Sequence, residues 1–268
     1  MIKNYIKTKL NNFLKHSPVL EHNEHVLLAH VDYMIHKKRN TRVVYTCLTG
    51  NYDDLPVYRY FDPNWDYVCF TDNKNLLRYT NFGIWQIKPL AFDKLDNTRN
   101  NRWHKTHPHE LFPDYEDSIY LDANICIMSP YLFDLVEEKS DSVILVPKHP
   151  LFDCMYMEID RVNQRIVKEG REDAAPVQKM LEFLINENFP HHYGINENNC
   201  IYRKHKNSKV IELMNDWWYF IENYSKRDQL SFSYVLWKHG MKPDEIAIPN
   251  LRDKENDLKF ELHNYRKK

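Results

Sequence analysis

The sequence predicts an α/β layered fold, and three observations carry that expectation. Short apolar runs rich in β-branched and aromatic residues have the length and composition of buried strands: "RVVYTCL" (42–48), "DYVCFT" (66–71), "IWQIK" (84–88), "SIYL" (118–121) and "SVILVP" (142–147). Longer segments with helical periodicity lie around 97–110, 153–169, 174–188, 205–224 and 228–238. The two kinds alternate along the chain, which favours helices layered on a sheet.

Each part follows in order. Ile2, Ile6, Phe13 and Leu14 can share one face of a first helix, with Lys3, Lys7, Lys9 and Lys15 on its polar side. That short face suits packing against the body or a partner, and it also suits peripheral contact with an anionic membrane. A second helical stretch, "EHNEHVLLAHVDYMIHKKR", ends in a basic cluster that complements a helix C-terminus. From residue 41 the rhythm becomes strand, loop, helix, with no repeat, low-complexity tract or linker. The expected organisation is a helical extension over 1–40 and one domain over 41–268.

Composition excludes several classes. With 37 basic and 38 acidic residues in 268, there is no global field to hold a polyanion, so nucleic acid is not expected as a partner. Cys47, Cys69, Cys126, Cys154 and Cys200 are scattered and never form C-x-x-C, which fits reduced, buried thiols and a cytoplasmic location. Neither a secretion signal nor a membrane span is predicted. The five glycines, at 50, 83, 170, 194 and 240, cannot compose G-x-G-x-x-G or a P-loop. G-x-S-x-G and H-E-x-x-H are absent as well. Any phosphate must therefore meet side chains and a metal.

In open α/β sheets ligands collect beyond the carboxyl ends of the strands. Polar residues follow three of the predicted strands here, in "TGNYDDL", "TDN" and "DAN". Asp122 and Asn124, two apart, either cap a turn or face one hard cation such as Mn²⁺ or Mg²⁺. Tyr52 is either a core-facing turn residue or a stacking surface. Arg99, Arg102 and Lys105 follow one another at three-residue spacing on the helix before the fourth strand, as a solvated basic face or as cations for a leaving group. "HKTHPH" does not read as a zinc site, because Pro108 breaks the spacing and no cysteine or carboxylate frame accompanies it. His109 is kept as a supporting group, and His191 and His192 are expected in an exposed loop. Asp228 opens "RDQLSFSYVLW" as a helix cap or as a ligand-binding acid.

Taken together and in order, "VVYTCLTGNYDDL", "YVCFTDN", the run from Arg99 through "RWHKTHPHELFPDYEDSIYLDANI", "KHP" and "RDQLSFSYVLWK" resemble a glycosyltransferase-like domain of GT-A type. This domain, formerly of unknown function, is found in bacterial polysaccharide-locus proteins and in plant proteins linked to mucilage and turgor regulation. More remotely the chain is similar to the retaining family of glycogenin and lipooligosaccharide galactosyltransferases. The resemblance spans about residues 42–240 and implies a GT-A-like, Rossmann-like central mixed sheet. It also implies a nucleotide-sugar donor, most often a UDP-sugar, and a glycan or glycolipid acceptor.

By residue, the resemblance places Asp122 and Asn124 at the metal-binding D-x-D position, with a neutral amide where a second carboxylate is usual. His263 would complete the metal site. Thr46, Thr49, Tyr52 and Asp72 would form the nucleotide pocket, with Tyr52 stacked on uracil and Asp72 accepting from its N–H. Arg99, Arg102 and Lys105 would oppose the diphosphate charge. Asp228 would bind sugar hydroxyls or act in catalysis beside Gln229, and "HHYGINENNCIYRKH" would wall the acceptor. A nucleotidyltransferase of similar fold and a catalytically silent nucleotide-sugar-binding scaffold remain as alternatives.

Overall fold

The computed structural model describes residues 32–33 and 40–263. The two expected N-terminal helices lie outside the described residues, apart from Asp32 and Tyr33. Tyr33 is buried, donates from its hydroxyl to Trp65 O at 2.8 Å, and meets the rings of Phe61 and Tyr67. This part of the expected extension thus shares a core with the domain, and the division into 1–40 and 41–268 stays a proposal.

The strands predicted from periodicity are present as β1 (Arg42–Leu48), β2 (Asp66–Thr71), β4 (Trp85–Pro89), β5 (Asp117–Leu121) and β7 (Ile144–Pro147). The pattern missed β3 (Asn81–Phe82), β6 (Ile125–Ile127), β8 (Cys200–Lys204), β9 (Ala247–Ile248) and β10 (Leu258–Phe260). Eight strands form one mixed sheet in the order β3-β4-β2-β1-β5-β8-β7-β9, while β6 and β10 pair separately. β1 runs parallel to β2 and β5; β8 is antiparallel to β5 and β7; β7 is parallel to β9. The chain steps outward from β1 through β2 to β4, then returns to place β5 on the other side of β1. That reversal creates the crevice where ligands collect in such sheets.

β1 explains its own run of apolar residues. Val44 and Leu48 join the core of one sheet face, while Val43, Tyr45 and Cys47 join the other. The helices are α1 (Asn97–Thr106), α2 (Pro108–Leu111), α3 (Tyr131–Glu138), α4 (Met155–Arg161), α5 (Ala174–Asn186), α6 (Ser208–Asn223) and α7 (Phe232–Lys238). Asp96 caps α1 by accepting from Thr98 N and Arg99 N, and Pro108 breaks the expected 97–110 helix in two. A π-helical stretch, Val162–Val167, continues α4. The five cysteines are buried and free. Among the described residues no helix is long and apolar enough to cross a membrane.

Candidate active site

A cleft of about 610 Å³ opens at the carboxyl edge of β1, β5 and β7. Three connections meet there: the loop after β1, the turn after β5, and the approach to β8, whose antiparallel course brings Glu197–Asn199 to the same edge.

The loop after β1 is a tight turn with Gly50 and Asn51 at φ +62° and +56°. A Cβ on Gly50 would lie 2.2 Å from Asn97 Nδ2, so glycine is required here. Asp72 holds this turn by accepting from Gly50 N at 2.9 Å, and Thr49 ties it to α1 by donating to Asn97 O at 2.8 Å. Tyr52 is 45% exposed at the cleft, and its hydroxyl accepts from Arg171 Nη2 at 3.3 Å.

The turn after β5 carries Asp122 and Asn124, closed by Ile125 N donating to Asp122 O at 3.0 Å. β10 lies antiparallel to β6, with Phe260 opposite Ile125, and Glu261 N then donates to Asn124 O at 2.7 Å. This pairing carries His263 into the cleft, where its ring meets Tyr52 at 4.7 Å and its Nδ1 faces Asp53 Oδ1 at 2.7 Å.

At the centre lies a four-member ion network. Lys105, only 1% exposed, donates to Asp228 Oδ2 at 2.6 Å and to Asn198 O at 2.8 Å, and faces Asp122 Oδ1 at 3.2 Å. Arg102 Nε lies 3.2 Å from Asp228 Oδ2, and its Nη1 lies 3.9 Å from Asp122 Oδ1. Burial acts to raise the Asp228 pKa, but Arg102 and Lys105 outweigh it and hold the carboxyl below its usual range. Burial acts to lower the Arg102 pKa, and Asp228 and Asp122 reverse that. Gln229 is fixed beside them, its Nε2 donating to Asn196 O and its Oε1 accepting from Asn198 N.

Of the residues singled out from the sequence, the cleft gathers Thr49, Tyr52, Arg102, Lys105, Asp122, Asn124, Asp228, Gln229 and His263. Three stand outside its lining. Thr46 is buried within β1, on the face of Val44. Asp72 serves the Gly50 turn. Arg99 turns to α6, donating to Ile221 O and Tyr224 O at 3.0 Å and pairing with Asp96. His191 and His192 occupy an exposed turn, as expected, and His109 is half-buried beside His107.

Asp53 and Arg227 were not singled out from the sequence, and Asn198 and Arg203 only as part of the acceptor wall expected over 191–205. Arg203, wholly buried on β8, donates to Lys105 O and Tyr45 Oη, both at 2.6 Å, and so fixes the end of α1 that presents Lys105. An arginine inside "CIYRK", among strand-forming residues, was the available signal. Within the stretch 191–205, Cys200–Lys204 is a central strand, while Glu197, Asn198 and Asn199 line the cleft.

For a metal, Asp122, Asn124 and His263 offer two oxygens and a nitrogen on one cleft, a donor set suited to Mn²⁺ or Mg²⁺. The Asp53–His263 pair matches the carboxylate–histidine arrangement that orients metal-binding imidazoles. Among the described residues no three His, Cys, Asp or Glu side chains converge as a metal cage.

Residues 28–257 match the TOD1/MUCI70 glycosyltransferase-like domain. The chain belongs to this family. Solved structures with a similar course include mouse xyloside xylosyltransferase 1 (13% identity, TM-score 0.42, covering 78% of this chain and 84% of that one). The bifunctional glycosyltransferase WbbM (12%, 0.38, 78% and 38%) and the mannosyltransferase Ktr4p of S. cerevisiae (9%, 0.37, 85% and 80%) are others. Comparison of the sequence with curated proteins gives no match. The match begins before residue 41 and takes in Tyr33, the buried partner of Trp65. In this TOD1/MUCI70 domain, the cleft at the carboxyl edge is the candidate site for the family's chemistry.

Proposed function

We propose that this TOD1/MUCI70 domain is a hexosyltransferase. It takes its sugar from a nucleotide diphosphate, foremost a UDP-sugar, and hands it to a glycan or glycolipid in surface polysaccharide synthesis such as capsule or lipopolysaccharide. The observation that carries this reading is the Arg102–Lys105–Asp122–Asp228 network at the sheet's carboxyl edge. The catalytic unit is taken as residues 41–268, acting in the cytoplasm at the inner face of the membrane, with residues 1–40 as the contact.

As the anomeric C–O bond breaks, negative charge gathers on the departing diphosphate. Arg102 and Lys105 are fixed beforehand, so they oppose that charge without reorganising. Tyr52, exposed at the mouth, offers a face for uracil. Asp122, Asn124 and His263 would hold Mn²⁺ or Mg²⁺, which when bound supplies Lewis-acid stabilisation of the diphosphate. Asp228 accepts from sugar hydroxyls, its charge already balanced by Lys105 and Arg102. Gln229 lies beside it, and this Asp–Gln pair favours retention of anomeric configuration.

The test is product analysis with wild type, Asp122→Ala and Asp228→Asn. The expected products are UDP and a glycoside of retained configuration by proton NMR, with turnover lowered at least about 100-fold in both variants. Release of pyrophosphate would indicate a nucleotidyltransferase instead, and an inverted product would remove the role given to the Asp–Gln pair.

A further inference from the structure

Arg203 is a charge kept wholly out of water, on β8 and behind the cleft instead of in its lining. Among the described residues it has no carboxylate partner. Its Nη1 donates to Lys105 O at 2.6 Å and meets Met214 Sδ at 3.2 Å, its Nη2 donates to Tyr45 Oη at 2.6 Å, and its Nε finds no acceptor. The groups whose charge bears on it most are Tyr45, Tyr120 and Cys200, none of them a carboxylate, and burial lowers its pKa. For stability alone this is a poor use of a core position, because an uncompensated buried charge costs free energy that an apolar side chain of similar length does not.

What the guanidinium holds is the end of α1. Pro108 has no N–H to give to His104 O, four residues before it, so the last carbonyls of the helix turn to side chains. The Tyr45 hydroxyl lies 3.1 Å from both His104 O and Lys105 O as their donor. Arg203 reaches Lys105 O and the phenol oxygen together, closing a triangle on the backbone of Lys105, and its charge complements the helix C-terminus. The Lys105 side chain leaves the other way. Its Nζ passes 4.9 Å from the centre of the Tyr120 ring, which Tyr45 meets edge to face at 5.3 Å, and goes on to Asp228 and Asp122. Lys105 is thus gripped at both ends.

We propose that Arg203 is a positioning residue, which acts through the Lys105 carbonyl and Tyr45 to keep the Lys105 ammonium in place against Asp122 and Asp228. The part that Lys105 plays in transfer rests on the hexosyltransferase reading; the hold on its backbone does not. A donor diphosphate draws the ammonium away from the two carboxylates, and an anchored carbonyl keeps the helix end from following. A displacement of about 1 Å in such a site can cost about 100-fold in rate.

The experiment follows UDP release from UDP-glucose and UDP-galactose with Mn²⁺ by the full chain as wild type, Arg203→Met, Arg203→Lys and Tyr45→Phe. Melting temperatures and crystal structures of wild type and Arg203→Met accompany it. Arg203→Met is expected to lower kcat per folded molecule about tenfold or more while KM for the donor stays within about twofold. Its melting temperature should hold, because Tyr45 still serves both carbonyls and the buried charge is gone. In its crystal structure Lys105 Nζ should stand about 1 Å or more from its wild-type place. Arg203→Lys keeps the charge without the fork and should recover only part of kcat. Tyr45→Phe keeps the bond from Arg203 to Lys105 O and should lose less.

An unchanged kcat in Arg203→Met overturns the proposal whatever the melting temperature does, since that is the behaviour of a merely structural arginine. A loss confined to KM overturns it as well. Should Arg203→Met fail to fold, Arg203→Lys and Tyr45→Phe decide by the same rule. Failure of wild type to release UDP from either sugar would count against the transferase reading alone. The crystal structures would then decide the role of Arg203, or that of Arg203→Lys where Arg203→Met does not fold, with a displaced Lys105 supporting it and an unmoved one overturning it.

Discussion

Lys105 is the residue on which the site turns. It enters from α1 with its ammonium between two carboxylates, and Arg203 holds the carbonyl of the same residue from β8. Lys105→Met leaves Asp122 and Asp228 with one cation between them. Breaking such a buried pair is expected to cost about 3 kcal/mol in urea unfolding. Sugar transfer per folded molecule should fall at least about 100-fold if Lys105 opposes the charge of the leaving group as proposed. Arg99→Ala should behave differently: about 2 kcal/mol of stability lost with its bonds to Ile221 O and Tyr224 O, and turnover of the folded fraction unchanged. Equal loss of turnover in both variants would mean that Arg99 serves the donor after all. The family resemblance set Arg102 and Lys105 ahead of Arg99, but the contacts that separate them, Ile221 O and Tyr224 O, belong to elements that no helical spacing records. Thr46 and Asp72 show the same limit. One looks inward from β1, and the other spends its carboxylate on Gly50 N.

A second residue-scale prediction concerns acid. His104 Nε2 accepts from Ala91 N at 2.9 Å and its Nδ1 faces Asn100 O at 2.7 Å, so its partners require the neutral ring. Burial pushes its pKa from 6.5 down to about 4, and those of His107 and His205 likewise. The unfolded chain binds these protons first as pH falls below 6.5. Stability is therefore full above pH 6.5 and drains as pH approaches 4, by about 3 kcal/mol per histidine at most. Urea melts from pH 7 to pH 4.5 should show this slope, and His104→Gln should reduce it. An unchanged slope would mean that the His104 ring does not carry its share.

At the scale of elements, the long apolar strands and amphipathic helices were legible because their periodicity reports burial directly. β8 was not, since Arg203 and Lys204 made "CIYRK" resemble the polar loop before it. β6 and β10 were too short to announce themselves; their pairing depends on segments more than 130 residues apart, which no local pattern records. Yet that pairing brings His263 to the cleft and against Asp53. Asp53→Asn is expected to weaken Mn²⁺ affinity, measured in the presence of UDP, by about tenfold or more, with little change in melting temperature. A variant with unchanged metal affinity would show that this pair only fastens the C-terminal strand.

For the molecule as a whole, the network spans α1, the β5 turn and the segment before α7, so a ligand bound there should brace elements far apart in sequence. UDP with Mn²⁺ at about 100 times its Kd should add about 2.7 kcal/mol to unfolding, a rise of several degrees in melting temperature. The fold class and the line of residues from Tyr52 to Asp228 followed from sequence patterns joined to family resemblance. The place of Arg203 did not, because what a buried side chain meets is a property of packing and not of spelling. The central claim, nucleotide-sugar turnover in this cleft, is met most directly by incubating the purified chain with a panel of nucleotide sugars, first with Mn²⁺ and then with chelator, and measuring released nucleoside diphosphate. The expected result is slow, metal-dependent UDP release from one donor that Asp122→Ala abolishes. No release from any donor, together with no thermal shift from UDP and Mn²⁺, would contradict it.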